Sequence, residues 1–429
     1  METGNLSQSS ENTKRDSKNL PNKTVVLTVD RLGAGFLGPY GNTWIETPAM
    51  NLLASQSVLF ENCFIDSARS YGCLQSLLTG IHAAEKQLKT LTLPDLVREQ
   101  NGTSVLITDD RVLAEGTIGE WFDEVILLEL PIKTAKHCDE IEDTQLARLF
   151  AGAIQTLEQS TSSRLIWIHS RGMAGPWDAP LELRNQFADD DDPPPPEIVE
   201  PPSLKLDAAH NPDDTLGLGF AYAGQICVLD ICLAALLDRL AELFADQQTM
   251  FIFAGTRGYP MGEHGSVGGA RDDLYEEFIH VPLMIRVPGR RYALTRIQSI
   301  CQPSDIWSVS RDWISKTADS AADDEHASIG QCSALQQLVD LPSRSACAII
   351  CGERQFGFRT PAWYLRKTEQ THQLFVKPDD RWEVNEVSNR CTSITAQLAE
   401  MLEESLAAGE SGKLNRQPPL SLELAFGTD

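Results

Sequence analysis

The chain has 429 residues, 42% of them hydrophobic and 23% charged, a balance that suits a globular protein with one large core and a smaller second domain. With 36 Lys and Arg against 61 Asp and Glu, its formal net charge is −25. So acidic a surface excludes nucleic acid and anionic membrane as partners, because both need basic patches to displace counterions; it also disfavours a highly sulfated polymer unless a local basic pocket exists.

Residues 1–22 are polar throughout and are expected to form a disordered tail. They lack the apolar segment of a signal peptide, and no run of about 18 apolar residues follows, so no membrane span is expected. The ten cysteines include no CxxC pair, and several sit in apolar runs such as "ICVLDICLAALL" and "ACAIIC". That usage fits free buried thiols in a reducing, cytoplasmic setting.

Six short runs read as buried strands: 23–30, 103–110, 124–130, 164–170, 249–255 and 281–287. Their nearly continuous apolar character predicts a sheet covered on both faces. The clearest helix spans 221–245, where Ile226, Leu229, Leu233, Leu236, Leu240 and Leu243 form one stripe. Strands alternating with helices predict an α/β fold, a mostly parallel central sheet with helices on both faces. Such sheets place their sites beyond the carboxyl ends of the strands. That draws attention to Asp30-Arg31, to Ser170-Arg171-Gly172 and to Gly255-Thr256-Arg257-Gly258.

The segment "ADDDDPPPPEIVEPP" (188–202) is acidic and proline-rich, and reads as an exposed, extended loop inside the main domain, spanning 23–315. Beyond it the pattern changes. Residues around 320–331 read as a loop, "SACAIICG" as a strand, and "AWYLRKTEQTHQLFVKPDD" as a hairpin, before a final helix at 393–409. A smaller C-terminal α+β domain (316–409) and a loose tail (410–429) are expected.

Four segments taken together carry a family resemblance. They are "VVLTVDRLGAGFLGPYGN", "TPAMNLLASQSVLFENCF", "SYGCLQSLLTG" and "FIFAGTRGYPMGEHGSVGGARDDLYEEFIHVPLMIRVPG". With "LFVKPDDRWEVNEV" (374–387) matching a closing "LYDLxxDPxExxN" hairpin, the chain resembles the sulfatase family of the alkaline-phosphatase-like superfamily over roughly residues 23–405. The resemblance implies that fold and a sulfate-ester hydrolase. In the family a Cys or Ser becomes formylglycine, calcium neutralises the sulfate oxygens, and a histidine handles the leaving-group proton.

Residue by residue, this sequence departs from that pattern. Of the two consecutive aspartates expected after the first strand, Asp30 is present and Arg31 replaces the second. Thr256 and Arg257 stand at the two later ligand positions, leaving Asp30 a vestigial single ligand. Guanidinium groups oppose a divalent cation, so no cofactor is expected here although the family would use calcium. Anchored on "LLTG", Ser70 falls on the nucleophile, Gly72 on the motif's proline and Leu74 on its arginine. Without those two, formylglycine formation is not expected, and the alternative register at Cys73 lacks them too. Ile81, Gly269 and Ala174 fill three further positions where the family has a basic residue or histidine. His169, the "GEHG" turn with Glu263 and His264, and Asp230 read as structural.

Three readings stay open. One is a sulfatase-family pseudoenzyme in which Arg31 or Arg257 pairs with Asp30 and the other holds a small anion or sulfated ligand. The second is a metal-independent sulfate or phosphate ester hydrolase attacking through Ser70, with Arg31 and Arg257 on the oxyanion. The third is an interaction module that recruits a basic partner through 188–202.

Overall fold

The computed structural model describes residues 22–86, 90–128, 136–244, 248–270, 273–315, 332–341, 346–416 and 418–427. Of the tail expected at 1–22, residues 1–21 lie outside the described residues, as does the loop expected at 320–331.

Eight strands form the central sheet: β1 (Lys23–Val29), β2 (Val58–Phe60), β3 (Ser104–Thr108), β4 (Glu124–Leu127), β5 (Leu165–Ser170), β7 (Thr249–Gly255), β9 (Leu283–Arg286) and β10 (Thr295–Ile297). Two short strands, β6 (Leu204–Lys205) and β8 (Ser266–Val267), pair outside it. The order across the sheet is β10-β2-β9-β7-β1-β5-β3-β4. Only β9 runs against its neighbours; the other seven are parallel. The expected mostly parallel sheet is present. β2 and β10 add two strands that the sequence pattern did not single out. β4, read as buried, lies at the edge with Glu124 and Val125 exposed, because only β3 pairs with it.

Helices cover both faces, and β1 shows why its sequence is apolar throughout. Val26 enters one core, while Val25, Leu27 and Val29 enter the other. The first core takes α2 (Ser70–Thr79) and α5 (Pro303–Ile314). The second takes α3 (Gln145–Gln159) and α4 (Pro212–Leu243). Each fully buried Val, Leu or Ile contributes roughly 1.5–3 kcal/mol, so both stripes hold the sheet firmly.

α4 begins nine residues before the expected start. Asn211 caps it through Asp213 N, and Pro212 occupies its first turn. Glycine at 217 costs helix propensity, but a Cβ there would lie only 3.3 Å from Pro196, so the glycine lets the proline-rich segment pack close. By length and composition α4 could cross a membrane; in this fold it is mostly buried inside the protein. Asp230, on α4, accepts from Ala49 N and Met50 N at 2.9 Å each and so caps α1 (Pro48–Ser55).

Segment 188–202 keeps its Asp189–Asp191 carboxylates exposed, yet its main chain is anchored. Pro196 O and Ile198 O accept from the fully buried Arg184, and Pro202 O accepts from Tyr259.

The C-terminal part is a four-stranded antiparallel sheet, β11 (Ala348–Cys351), β12 (Gln355–Arg359), β13 (Trp363–Thr368) and β14 (His372–Val376). β12 adds a strand to the expected set. One face of this sheet joins the main core through Ala348, Ile350, Tyr364 and Phe375. The other packs on α6 (Thr392–Glu410) through Phe358, Leu365, Leu374, Ile394 and Leu398. The segment after 410, expected to be loose, is tied down. Arg416 donates to Asp305 and Gln302, and a short helix at Leu422–Phe426 meets the Trp363 indole through Glu423 O.

Candidate functional site

β1, β3, β5 and β7 all end at one edge of the sheet, and the residues that follow them converge there. Asp30 follows β1 and its main-chain N–H donates to Ser170 O at the end of β5. Gly172, at φ +52°, lets the loop after β5 cross closely; a Cβ there would lie 2.4 Å from Val29 and 2.6 Å from Asp30 O.

Arg257 meets the Asp30 carboxylate as a fork. Its Nε donates to Oδ1 at 3.0 Å and its Nη2 to Oδ2 at 2.5 Å. Thr256 donates to the same Oδ1 at 2.8 Å. Burial alone would raise the Asp30 pKa, but the Arg257 guanidinium, helped by Arg31 and Thr256, holds it down to about 2. Since the Thr256 proton is committed to Asp30, Ser70 is the donor in its own bond to Thr256, at 2.9 Å. The structure therefore brings together Asp30, Thr256, Arg257 and Ser70, four residues drawn from three separate segments.

Arg31 takes the left-handed conformation at φ +60°, with its carbonyl accepting from Tyr222 at 2.8 Å. Its guanidinium lies 5.2 Å from the Phe278 ring centre and beside Gly269, where a Cβ would come within 3.2 Å of Nη2. Of the two arginines expected to hold an anion, Arg257 commits its fork to Asp30, and Arg31 lies over Phe278 while its charge also acts on Asp30.

Ser70 is the first residue of α2 and only 6% exposed. A Cβ at Gly72, the position of the motif's proline, would lie 2.2 Å from Ser67 Oγ. The space for that proline's ring is thus filled by Ser67. Leu74, at the motif's arginine, is buried in the core. The Cys73 thiol donates to Ser67 O at 3.1 Å, and burial followed by the charge of Asp66 pushes its pKa well up. It is a buried thiol whose surroundings favour the protonated form.

His169 is buried, with Nδ1 2.9 Å from Thr28 Oγ1, and burial lowers its pKa. Glu263 accepts from Met261 N at 2.6 Å. His264 stacks on Tyr275 at 3.5 Å and pairs with Glu277 at 2.8 Å. Burial opposes His264 protonation, but Glu277 outweighs it and raises the pKa.

Two carboxylates and a phenol at this edge were missed from the sequence. Asp109 accepts from Arg171 N, and burial pushes its pKa up to about 6. Asp110 accepts from Tyr71 OH at 2.9 Å, next to Ser70. The signal was the "ITDD" that ends β3, which repeats the strand-then-aspartate arrangement of Asp30.

A calcium site needs six to eight oxygen ligands in an anionic cage. Here the one carboxylate at the expected place has both oxygens engaged by Arg257 and Thr256. Among the described residues no group of three or more His, Cys, Asp or Glu could hold a metal ion. These donors do not fit calcium.

A family model described as Sulfatase matches residues 22–308. The chain is 22% identical over 362 residues to iduronate 2-sulfatase of Homo sapiens, a match covering 67% of this chain and 63% of that relative. The chain thus spans less than two thirds of that relative's length. Among solved structures, the phosphonate monoester hydrolase of Agrobacterium radiobacter aligns with a TM-score of 0.69 at 15% identity, covering 92% of this chain and 97% of that one. A protein solved in complex with its substrate D-glucosamine-2-N,6-O-disulfate aligns with a TM-score of 0.69 at 16% identity, covering 91% and 98%. At those identities the two structures speak for the fold alone. The family match extends over well more than half of the sequence, and on it the chain belongs to the sulfatase family.

Proposed function

We propose that this chain is a non-hydrolysing member of the sulfatase family that binds a small anion or sulfated ligand beside Arg31. The observation that carries this reading is the fork between Arg257 and Asp30. It puts a fixed positive charge on the carboxylate that the family's cation would use, so the charge is balanced internally. The state of Ser70 supports the same reading. Its proton points through Thr256 towards an Asp30 held at a pKa of about 2, a very weak base, so nothing here raises its nucleophilicity. The proline-rich segment is read as structural, because its carbonyls hold Arg184.

The ligand class rests on two supports. One is Arg31, a buried cation beside Asp30 in an otherwise acidic chain. The other is the sulfated substrate bound by the structurally similar protein.

The test is calorimetric melting with EDTA and with excess calcium, alongside a panel of aryl sulfate, aryl phosphate and phosphonate esters. The expected outcome is one melting temperature in both conditions and no turnover above background. Calcium-dependent melting, or turnover that vanishes in Ser70→Ala, would overturn the reading.

A further inference from the structure

A second cluster of cations lies to one side of Asp30. A cleft of about 420 Å³ opens between the Gly38–Gly41 turn, the residues after β2, and the C-terminal sheet. β2 is three strands from β1, which places this cleft roughly 14 Å across the sheet from the Asp30 position. Arg296, Arg359, Lys377 and Arg381 line it, together with Glu61 and Glu276.

The pairing within this group is uneven. Arg296 reaches Glu61 at 3.2 Å. Lys377 reaches both Glu276 at 2.8 Å and Glu383 at 2.9 Å. Arg359 is only 5% exposed, and its Nη1 donates to the carbonyls of Thr360, Pro361 and Trp363. Its Nε has no hydrogen-bond partner; the charges of Glu276 and Glu383 act on it from nearby, but both carboxylates are in ion-pair contact with Lys377. Arg381 is exposed, forms no ion pair among the described residues, and lies 5.2 Å from the Trp382 ring. Four cations therefore face three carboxylates, 4 − 3 = +1, in a chain of net charge −25.

A buried guanidinium N–H left without an acceptor is costly, and an anion from solution that accepts from it removes that cost. The cleft also falls within the size range of small-molecule sites. In the "LYDLxxDPxExxN" pattern, Lys377 stands at the second leucine and Arg381 at the proline, so half of the cations are this chain's own departures.

We propose that this cleft is a second anion site, taking the tetrahedral oxyanion of a phosphate or sulfate group between Arg359 and Arg381. The neighbouring wall, with Phe36, Trp44 and Trp382, would receive the body of an ester that carries such a group.

The experiment is titration calorimetry of the full chain with inorganic phosphate, inorganic sulfate and acetate, in wild type and in the Arg31→Gln, Arg381→Glu and Arg359→Lys variants. Circular dichroism checks folding; exposed Arg381 is the variant least able to disturb it. Arg31→Gln is expected to keep the cleft's binding of phosphate or sulfate, and adding Arg381→Glu to that variant to lower the affinity at least tenfold. Arg359→Lys, which keeps the charge without the Nε donor, is expected to bind more weakly than wild type. No binding of either tetrahedral ion to Arg31→Gln overturns the proposal, as does binding that survives when Arg381→Glu is added to Arg31→Gln or is matched by acetate. Binding lost in Arg31→Gln and kept in Arg381→Glu would assign the anion to the Asp30 edge, leaving the proposed function standing and the cleft proposal overturned.

Discussion

Asp30 and Glu383 are both buried carboxylates facing cations, and they titrate in opposite directions. Burial raises the pKa of each. Asp30 has a guanidinium of its own, bound through both oxygens, and falls to about 2. Glu383 shares one ammonium, Lys377, with Glu276; burial, and then the like charge of Glu276, push it up to about 7, while Lys377, His280 and Arg359 together hold Glu276 down to about 2. The number of counter-charges per carboxylate, more than the depth of burial, decides which way each one moves. The Asp30 edge is thus a closed ion pair, and the Lys377 cluster an open one whose charge depends on pH.

The largest effect expected from breaking this comparison is at Arg257. Arg257→Ala leaves Asp30 buried without its partner and should cost about 3–5 kcal/mol in urea unfolding at neutral pH. Asp30 stabilises the wild type above its unfolded pKa near 3.9, and that contribution is lost as pH falls through about 2. In Arg257→Ala this acid limb should move to higher pH.

Glu383 should behave the other way round. Its folded pKa is raised, so its contribution is present below roughly 4.3 and lost as pH rises through about 7. Glu383→Gln should abolish that loss, worth on the order of 2 kcal/mol between pH 5 and 8 in the same unfolding assay. A Glu383→Gln profile that parallels wild type would show that Lys377 satisfies both carboxylates, and would remove the contrast.

The smallest effect is expected at Ser70. Ser70→Ala removes one hydroxyl bond while Thr256 keeps its bond to Asp30, so about 1 kcal/mol should be lost. A loss well above that would make Ser70 part of the ion-pair unit instead of an accessory to it.

Much of the sheet was legible because strands buried on both faces write long apolar runs, as in Lys23–Val29 and Thr249–Gly255. β2 and β10, with three residues each, are too short to show a period, and the reversal of β9 leaves no mark in its own sequence. At the site, Asp30, Thr256 and Arg257 could be read from their places after strands. The fork could not, since either arginine was free to take Asp30. Arg31 was excluded by its left-handed backbone, which sends the guanidinium to Phe278, and no local pattern encodes that turn. Asp110 and Tyr71 meet only through the packing of α2 beside the end of β3.

The clasp at Arg416 carries a consequence in time. Its partner Asp305 lies 111 positions earlier, and the last strand of the central sheet ends at Ile297. At synthesis rates of roughly 5–20 residues per second, Asp305 waits about 6–22 s for its guanidinium. The nascent chain can therefore complete its eight-stranded sheet well before Arg416, which adds to the Gln302–Ile349 bonds between α5 and the C-terminal sheet, has been made. During that interval, among the described residues, Asp305 keeps the bond it accepts from Gln302 N at the start of α5.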